Sequence, residues 1–131
     1  MVIDDSKSMR KIIIKTLATA FENLDPETVL EGTNGMDGWN RLEQAKGEGN
    51  LPDLILCDWN MPELDGLEFL TKVKGSSDYK SIPVIMVTTE SEKSKVIEAI
   101  KAGVNNYVSK PFTPEGLKEK VVQTFKAIGK M

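Results

Sequence analysis

Short apolar runs alternate with helix-spaced apolar stripes along the whole chain, and this alternation is what most restricts the folds open to it. Met1 to Ile3 is apolar and stops at Asp4-Asp5. Leu54-Ile55-Leu56-Cys57 is a continuous run of the kind found in buried parallel strands, and it ends at Asp58. Pro83 to Thr88 (PVIMVT) is the strongest strand pattern, while Thr28-Val29-Leu30 and Asn106-Tyr107-Val108 are weaker ones. Between them the apolar positions recur at helical spacing: Met9, Ile12, Ile13, Leu17 and Ala20; Met36, Trp39 and Leu42; Leu67, Leu70 and Val73; Val96, Ile97, Ile100 and Val104; Leu117, Val121, Phe125 and Ile128. Lys7, Arg10, Lys11 and Lys15 fall on the outer faces of the first stripe. Ser6 or Ser8 suits its N-cap, and Gly103 suits a C-cap after the fourth. Asn23 to Glu27 and Gly47 to Pro52 read as loops, Asn34-Gly35 as a turn, and Gly75-Ser76-Ser77 as a stop. Five strands alternating with five helices predict right-handed βαβ crossovers and a parallel sheet covered on both faces.

Composition then removes whole classes of chemistry. The 131 residues include no histidine and one cysteine, with 17 Lys plus Arg against 20 Asp plus Glu for a net charge of -3. A Ser-His-Asp triad, an imidazole-ligated zinc and a histidine base are all excluded within this chain. The acidic balance argues against nucleic-acid or anionic-membrane partners, and no run approaches the roughly 20 apolar residues that span a bilayer. Cys57 has no intrachain partner for a disulfide, which suits a reducing compartment, and it reads as a small core hydrophobe. The N-terminus lacks secretory-signal character, so a single cytoplasmic domain over residues 1–131, without an output domain, is expected.

In open α/β sheets, ligands bind just beyond the carboxyl ends of the strands. There the sequence puts Asp4-Asp5, Asp58, Thr88-Thr89-Glu90 and Ser109-Lys110-Pro111. Three carboxylates brought together repel one another unless positive charge is supplied. Lys110 supplies one charge, and a hard divalent cation supplies two more; Mg²⁺ suits carboxylates, a carbonyl and retained waters. A cation beside carboxylates and a lysine is a device for phosphoryl transfer, with Asp58 as the best nucleophile and Thr88 as a hydroxyl for a phosphoryl oxygen. Neither GxxxxGK[ST] nor GxGxxG follows any strand. Two aspartates after the first strand oppose a flavin-phosphate site, and Asn60, two residues after Asp58, stands where a haloacid-dehalogenase-type phosphatase carries a second aspartate. A metal-dependent aspartyl phosphatase of another kind stays open at this point.

The segments VIDDSKSMR, CDWNMPELDGLEFL, PVIMVTTE and AGVNNYVSKPFTPEGL, in that order, resemble the response-regulator receiver family over essentially the whole chain. The resemblance implies a single doubly wound (βα)5, flavodoxin-like domain whose five-stranded parallel sheet has the order 2-1-3-4-5. It implies phosphorylation of Asp58 by a sensor histidine kinase. Asp5, Asp58 and the Asn60 carbonyl would bind Mg²⁺ directly and Asp4 through water. Lys110 would pair with the phosphoryl group, and its bond to Pro111 would be cis. Thr88 and Tyr107 would form the switch, and Asn60 and Glu90 would tune dephosphorylation. By the same resemblance the protein is a monomeric signalling switch rather than an enzyme acting on other substrates. Its partners would be a flagellar motor switch protein or another protein met through the fourth helix, fifth strand and fifth helix, and a phosphatase; another phosphorelay is the nearest alternative. Only Met1-Val2-Ile3 precede the acidic pair, fewer residues than the family pattern has, so either the chain is trimmed there or the first strand is unusually short, and Asp4 and Asp5 are expected to be less rigid. Trp59 is expected partly exposed beside the site, Met61 and Pro62 as loop-shaping residues, and Lys118, Lys120, Lys126 and Lys130 as a solvated helix face.

Overall fold

A computed structural model describes residues 1–61, 63–89 and 95–130. Its five parallel strands are β1 (Val2–Ile3), β2 (Glu31–Gly32), β3 (Ile55–Asp58), β4 (Val84–Thr88) and β5 (Asn106–Ser109), in the sheet order β2-β1-β3-β4-β5. The helices α1 (Lys7–Ala20), α2 (Gly35–Gly47), α3 (Gly66–Lys74), α4 (Val96–Lys101) and α5 (Pro114–Ala127) fill the crossovers. The expected class and strand order are therefore what the chain adopts.

Successive strand residues point to opposite faces, and both faces are apolar, which is why the central runs are unbroken. Ile3, Ile55, Cys57, Val84 and Met86 pack with Leu42 of α2, Phe69, Leu70 and Val73 of α3, and Ala99 of α4. Val2, Leu56, Ile85, Val87 and Val108 pack with Ile13, Ile14 and Leu17 of α1 and Leu117 and Val121 of α5. At about 25 cal/mol per Å² of apolar surface removed from water, these two layers dominate stability.

Local signals fix where helices begin. The Ser6 hydroxyl accepts from Met9 N, Asn34 from Asp37 N, and Thr113 from Gly116 N. Asp65 and Glu68 form a reciprocal capping box at α3. At Gly66 even a Cβ would collide with the Asp58 carbonyl and come within 2.6 Å of Met86 Cε, so glycine lets α3 start against the end of β3.

Four expectations need correction. The second strand is displaced from Thr28-Val29-Leu30 to Glu31–Gly32, because Asp25 caps a 3-10 turn at Pro26–Thr28 and its carbonyl accepts the Thr28 hydroxyl at 2.8 Å. That turn also lies partly within the stretch read as loop. The fourth helix is shorter than its stripe: α4 ends at Lys101, before Val104, and Ile97 and Ile100 are 64% and 60% exposed while Ala99 is buried. Arg10 lies in the interior and Ile12 on the outside, the reverse of the reading from spacing. Trp59 is buried rather than partly exposed. Glu90 and Pro62 lie outside the described residues.

Candidate functional site

The parallel register sets the carboxyl ends of β1, β3, β4 and β5 along one edge: Ile3 pairs with Cys57, Asp58 with Val87, and Thr88 with Ser109. Asp4 leaves β1 with its N–H on the Gly32 carbonyl at 3.0 Å, and its Oδ1 accepts Ser6 N at 2.8 Å. Asp58 Oδ1 accepts the next backbone amide, Trp59 N, at 2.9 Å. Lys110 closes the group: its ammonium reaches Asp4 Oδ2 at 3.3 Å and Asp58 Oδ1 at 3.2 Å. Its own N–H donates to the Thr88 carbonyl at 2.6 Å, which locks the exit of β5 to the end of β4. The Lys110–Pro111 peptide is cis, as the resemblance implied.

Asp4 and Asp58 are buried and Asp5 is exposed, and one carboxylate oxygen from each lies within 4.8 Å of the others. Three carboxylates thus face one ammonium, and that imbalance has a physical consequence. Burial pushes Asp58 up to about 6; Lys110 pulls it down, and the charge of Asp4 pushes it up again. Burial works to lower the Lys110 value, but Asp58 and Asp4 outweigh it and the net shift is upward. Burial, reinforced by Asp58 and Asp4, pushes the Cys57 thiol well up, so it stays protonated as a core group. An all-oxygen donor set with excess negative charge fits a hard divalent cation. Beside it the Thr88 hydroxyl is buried and has no hydrogen-bond partner among the described residues. Buried polar atoms are rarely left in that state.

Asp4, Asp5, Asp58, Thr88 and Lys110 therefore come together at the sheet edge as the sequence suggested. Asn60 is exposed just after Asp58. Tyr107 shares the Thr88 face of the sheet, since its strand partner is Met86, but its ring is 37% exposed and lies 5.3 Å from the Lys120 ammonium. Glu90 lies outside the described residues. Spacing missed Arg10, whose buried guanidinium donates to the Asp4 carbonyl at 2.7 Å and to Glu31 Oε1 at 3.0 Å. A long cationic side chain six residues after a strand-end aspartate carries no distinctive sequence signal. A cavity of about 430 Å³ opens at the opposite end of the sheet, lined by Phe21, Leu24, Leu54 and Phe125. Its place at the other end of the strands from Asp4, Asp58 and Lys110 separates it from this chemistry.

Residues 1–122 match the response regulator receiver domain family, and the chain belongs to that family of signalling proteins. More particularly, it is 48% identical over 121 residues to the chemotaxis protein CheY1 of Helicobacter pylori, covering 92% of this chain and 91% of that one. The chemotaxis protein CheY homolog of Campylobacter jejuni is 46% identical, with 92% and 87% covered. Among solved structures, Vibrio cholerae chemotaxis protein CheY4 superposes with a TM-score of 0.76 at 32% identity, covering 94% of each chain. A signal receiver domain of a histidine kinase from Syntrophus aciditrophicus shares the fold, with a TM-score of 0.81 over 99% of this chain and 91% of that one, at 24% identity.

Proposed function

We propose that the protein is a single-domain response regulator of chemotaxis that takes a phosphoryl group onto Asp58. One observation carries this: Lys110 bridges Asp4 and Asp58 at 3.3 and 3.2 Å beside a buried Thr88 hydroxyl that has no partner among the described residues. Trp59 N and Lys110 Nζ both donate to Oδ1, and Oδ2 would attack the phosphorus of a phosphohistidine. An O–P bond forms as the N–P bond breaks, and the imidazole leaves on the donor kinase. Lys110 then pairs with the phosphoryl oxygens, and Thr88 turns its hydroxyl to one of them. Mg²⁺, held by Asp5, Asp58 and the Asn60 carbonyl with Asp4 acting through water, would offset the charge that builds on those oxygens. Asn60 and Glu90 set the lifetime of the product. The chain transforms no other substrate.

The output is a change of affinity for a protein. Thr88 and Tyr107 lie on one face of the sheet in neighbouring strands, so drawing Thr88 toward the phosphoryl group makes room for Tyr107 to turn inward. The exposed Ile97, Ile100 and Tyr107 of α4 and β5, with α5, form the surface that changes. A flagellar motor switch protein is the target the chemotaxis relatives suggest, in the cytoplasm, with a phosphatase as a further partner. The single-domain reading is supported by the match taking in 91% of the Helicobacter relative.

Incubation with acetyl phosphate and Mg²⁺ should add one phosphoryl group to the intact protein, stable in acid and labile in base. No mass gain, or a gain retained in Asp58→Ala, would sink the reading. Pull-down with and without beryllofluoride should separate a motor protein from a phosphorelay partner.

A further inference from the structure

We propose that Arg10 is a positioning residue for the acidic pair: its guanidinium holds the Asp4–Asp5 peptide, and through it the Asp5 carboxylate, where a divalent cation is taken up. This rests on the reading of the site as a cation-dependent phosphoacceptor. β1 contributes only Val2 and Ile3 to the sheet, so Asp4 leaves the ladder with one remaining main-chain bond, its N–H to Gly32. The Asp4 side chain has its own holders, Ser6 N and Lys110 Nζ. Asp5 is exposed and has neither strand pairing nor burial to fix it.

The peptide plane supplies the missing constraint. Because the peptide is planar, fixing the Asp4 carbonyl oxygen also fixes the N and Cα of Asp5. Arg10 Nη1 holds that oxygen at 2.7 Å, and its Nε is held by Glu31 Oε1 of β2 at 3.0 Å. The Arg10 backbone is part of the first turn of α1, with its N–H on Ser6 O at 3.0 Å. One rigid fork therefore joins β2, α1 and the end of β1 behind the carboxylates. A lysine keeps the charge but offers a point donor that cannot serve both acceptors with the same planar geometry. If Arg10 acted only through charge, or only as a buried ion pair, the lysine variant would leave Asp5 where it is.

Arg10→Lys should weaken Mg²⁺ binding about tenfold, as loss of a group that orients metal ligands commonly does, with affinity read by titration of intrinsic tryptophan fluorescence. Glu31→Gln, which loosens the outer end of the fork, should weaken it about threefold by the same logic. In the metal-free protein the Asp5 and Ser6 amides should exchange with solvent faster in both variants, while core amides of β3 and β4 keep wild-type rates. Unchanged affinity and unchanged Asp5 and Ser6 exchange in folded Arg10→Lys would overturn the proposal. Should that variant not fold, Glu31→Gln decides it by the same two readouts. A wild-type protein that binds no Mg²⁺ would instead refute the phosphoacceptor reading, and the exchange measurement would still decide whether Arg10 holds the peptide.

Discussion

Asp58→Asn should make the metal-free protein more stable at neutral pH, because the wild-type carboxylate is ionised in a place that resists its charge. Its folded value is raised from 3.8 to about 6, chiefly by burial. A carboxylate raised on folding costs stability when ionised: the penalty is complete above pH 6 and fades as pH falls from 6 toward 3.8, below which both states are protonated. That rise corresponds to about 3 kcal/mol, and partial solvation at the open edge reduces this to about 1–2 kcal/mol. For a domain of this length that is about 4–8 °C in Tm. Asparagine keeps the shape and an oxygen for Trp59 N, while Lys110 keeps Asp4. Urea and thermal unfolding of both proteins, with chelator, from pH 8 to about pH 4 should show the variant ahead at high pH and the gap closing on acidification. Saturating Mg²⁺ should stabilise the wild type more, narrowing the gap from the other side, because the variant lacks one ligand charge. A wild type more stable than the variant at pH 8 in chelator, or a gap indifferent to pH, would refute the electrostatic account of the site.

Thr88→Val removes a buried hydroxyl that has no partner among the described residues, so stability in urea should hold or rise by up to about 1 kcal/mol, whereas beryllofluoride should no longer change target affinity. Gly66→Ala would drive a methyl group into the Asp58 carbonyl and Met86, costing about 2 kcal/mol or more in urea unfolding and slowing phosphorylation by acetyl phosphate. Lys120→Gln removes the cation over the Tyr107 ring, a contact worth about 0.5–1 kcal/mol at exposed sites. The population with Tyr107 turned inward should then rise about two- to fivefold, read by NMR of fluorotyrosine-labelled protein.

The residues legible in the sequence were those whose position follows from strand ends. Asp4, Asp58, Thr88 and Lys110 each close an apolar run, and parallel register brings all such ends to one edge whatever the details of packing. Features set by side-chain reach were not legible. Arg10 looks like surface charge on a helical wheel, yet its length carries the guanidinium beneath the β1–α1 turn, where a carbonyl and Glu31 receive it. Trp59 looked exposed beside polar neighbours, but Met61 joins it in the core on the α2–α3 side of the sheet. The displaced second strand turned on one local competition, Asp25 capping Pro26–Thr28, which sequence propensity for Thr and Val did not anticipate. In α4 the apolar spacing reaches Val104, but the helix stops at Lys101 and leaves Ile97 and Ile100 exposed.

Two costs are concentrated at the edge of an otherwise well-packed sheet, and under the proposed function phosphorylation relieves the second of them. Ionised Asp58 is opposed by burial, and Thr88 holds a buried hydroxyl without an acceptor among the described residues. A phosphoryl group on Asp58 would trade the one carboxylate charge for about two on its own oxygens, which Lys110 and a cation must offset, and would place an acceptor near the Thr88 hydroxyl. A ligand can shift a conformational equilibrium only by its differential interaction with the two states, and a hydroxyl that gains its first hydrogen bond in one state alone supplies such a difference. The shift would then be read one strand away, because Thr88 pairs with Ser109 and Tyr107 with Met86 on the same face. Under the proposed function the donor lies elsewhere for a chemical reason: these 131 residues hold no histidine with which to form a phosphohistidine. Under the proposed function, a buried hydroxyl that gains its acceptor only with a partner-supplied phosphoryl group would leave the timing of the switch to the kinase.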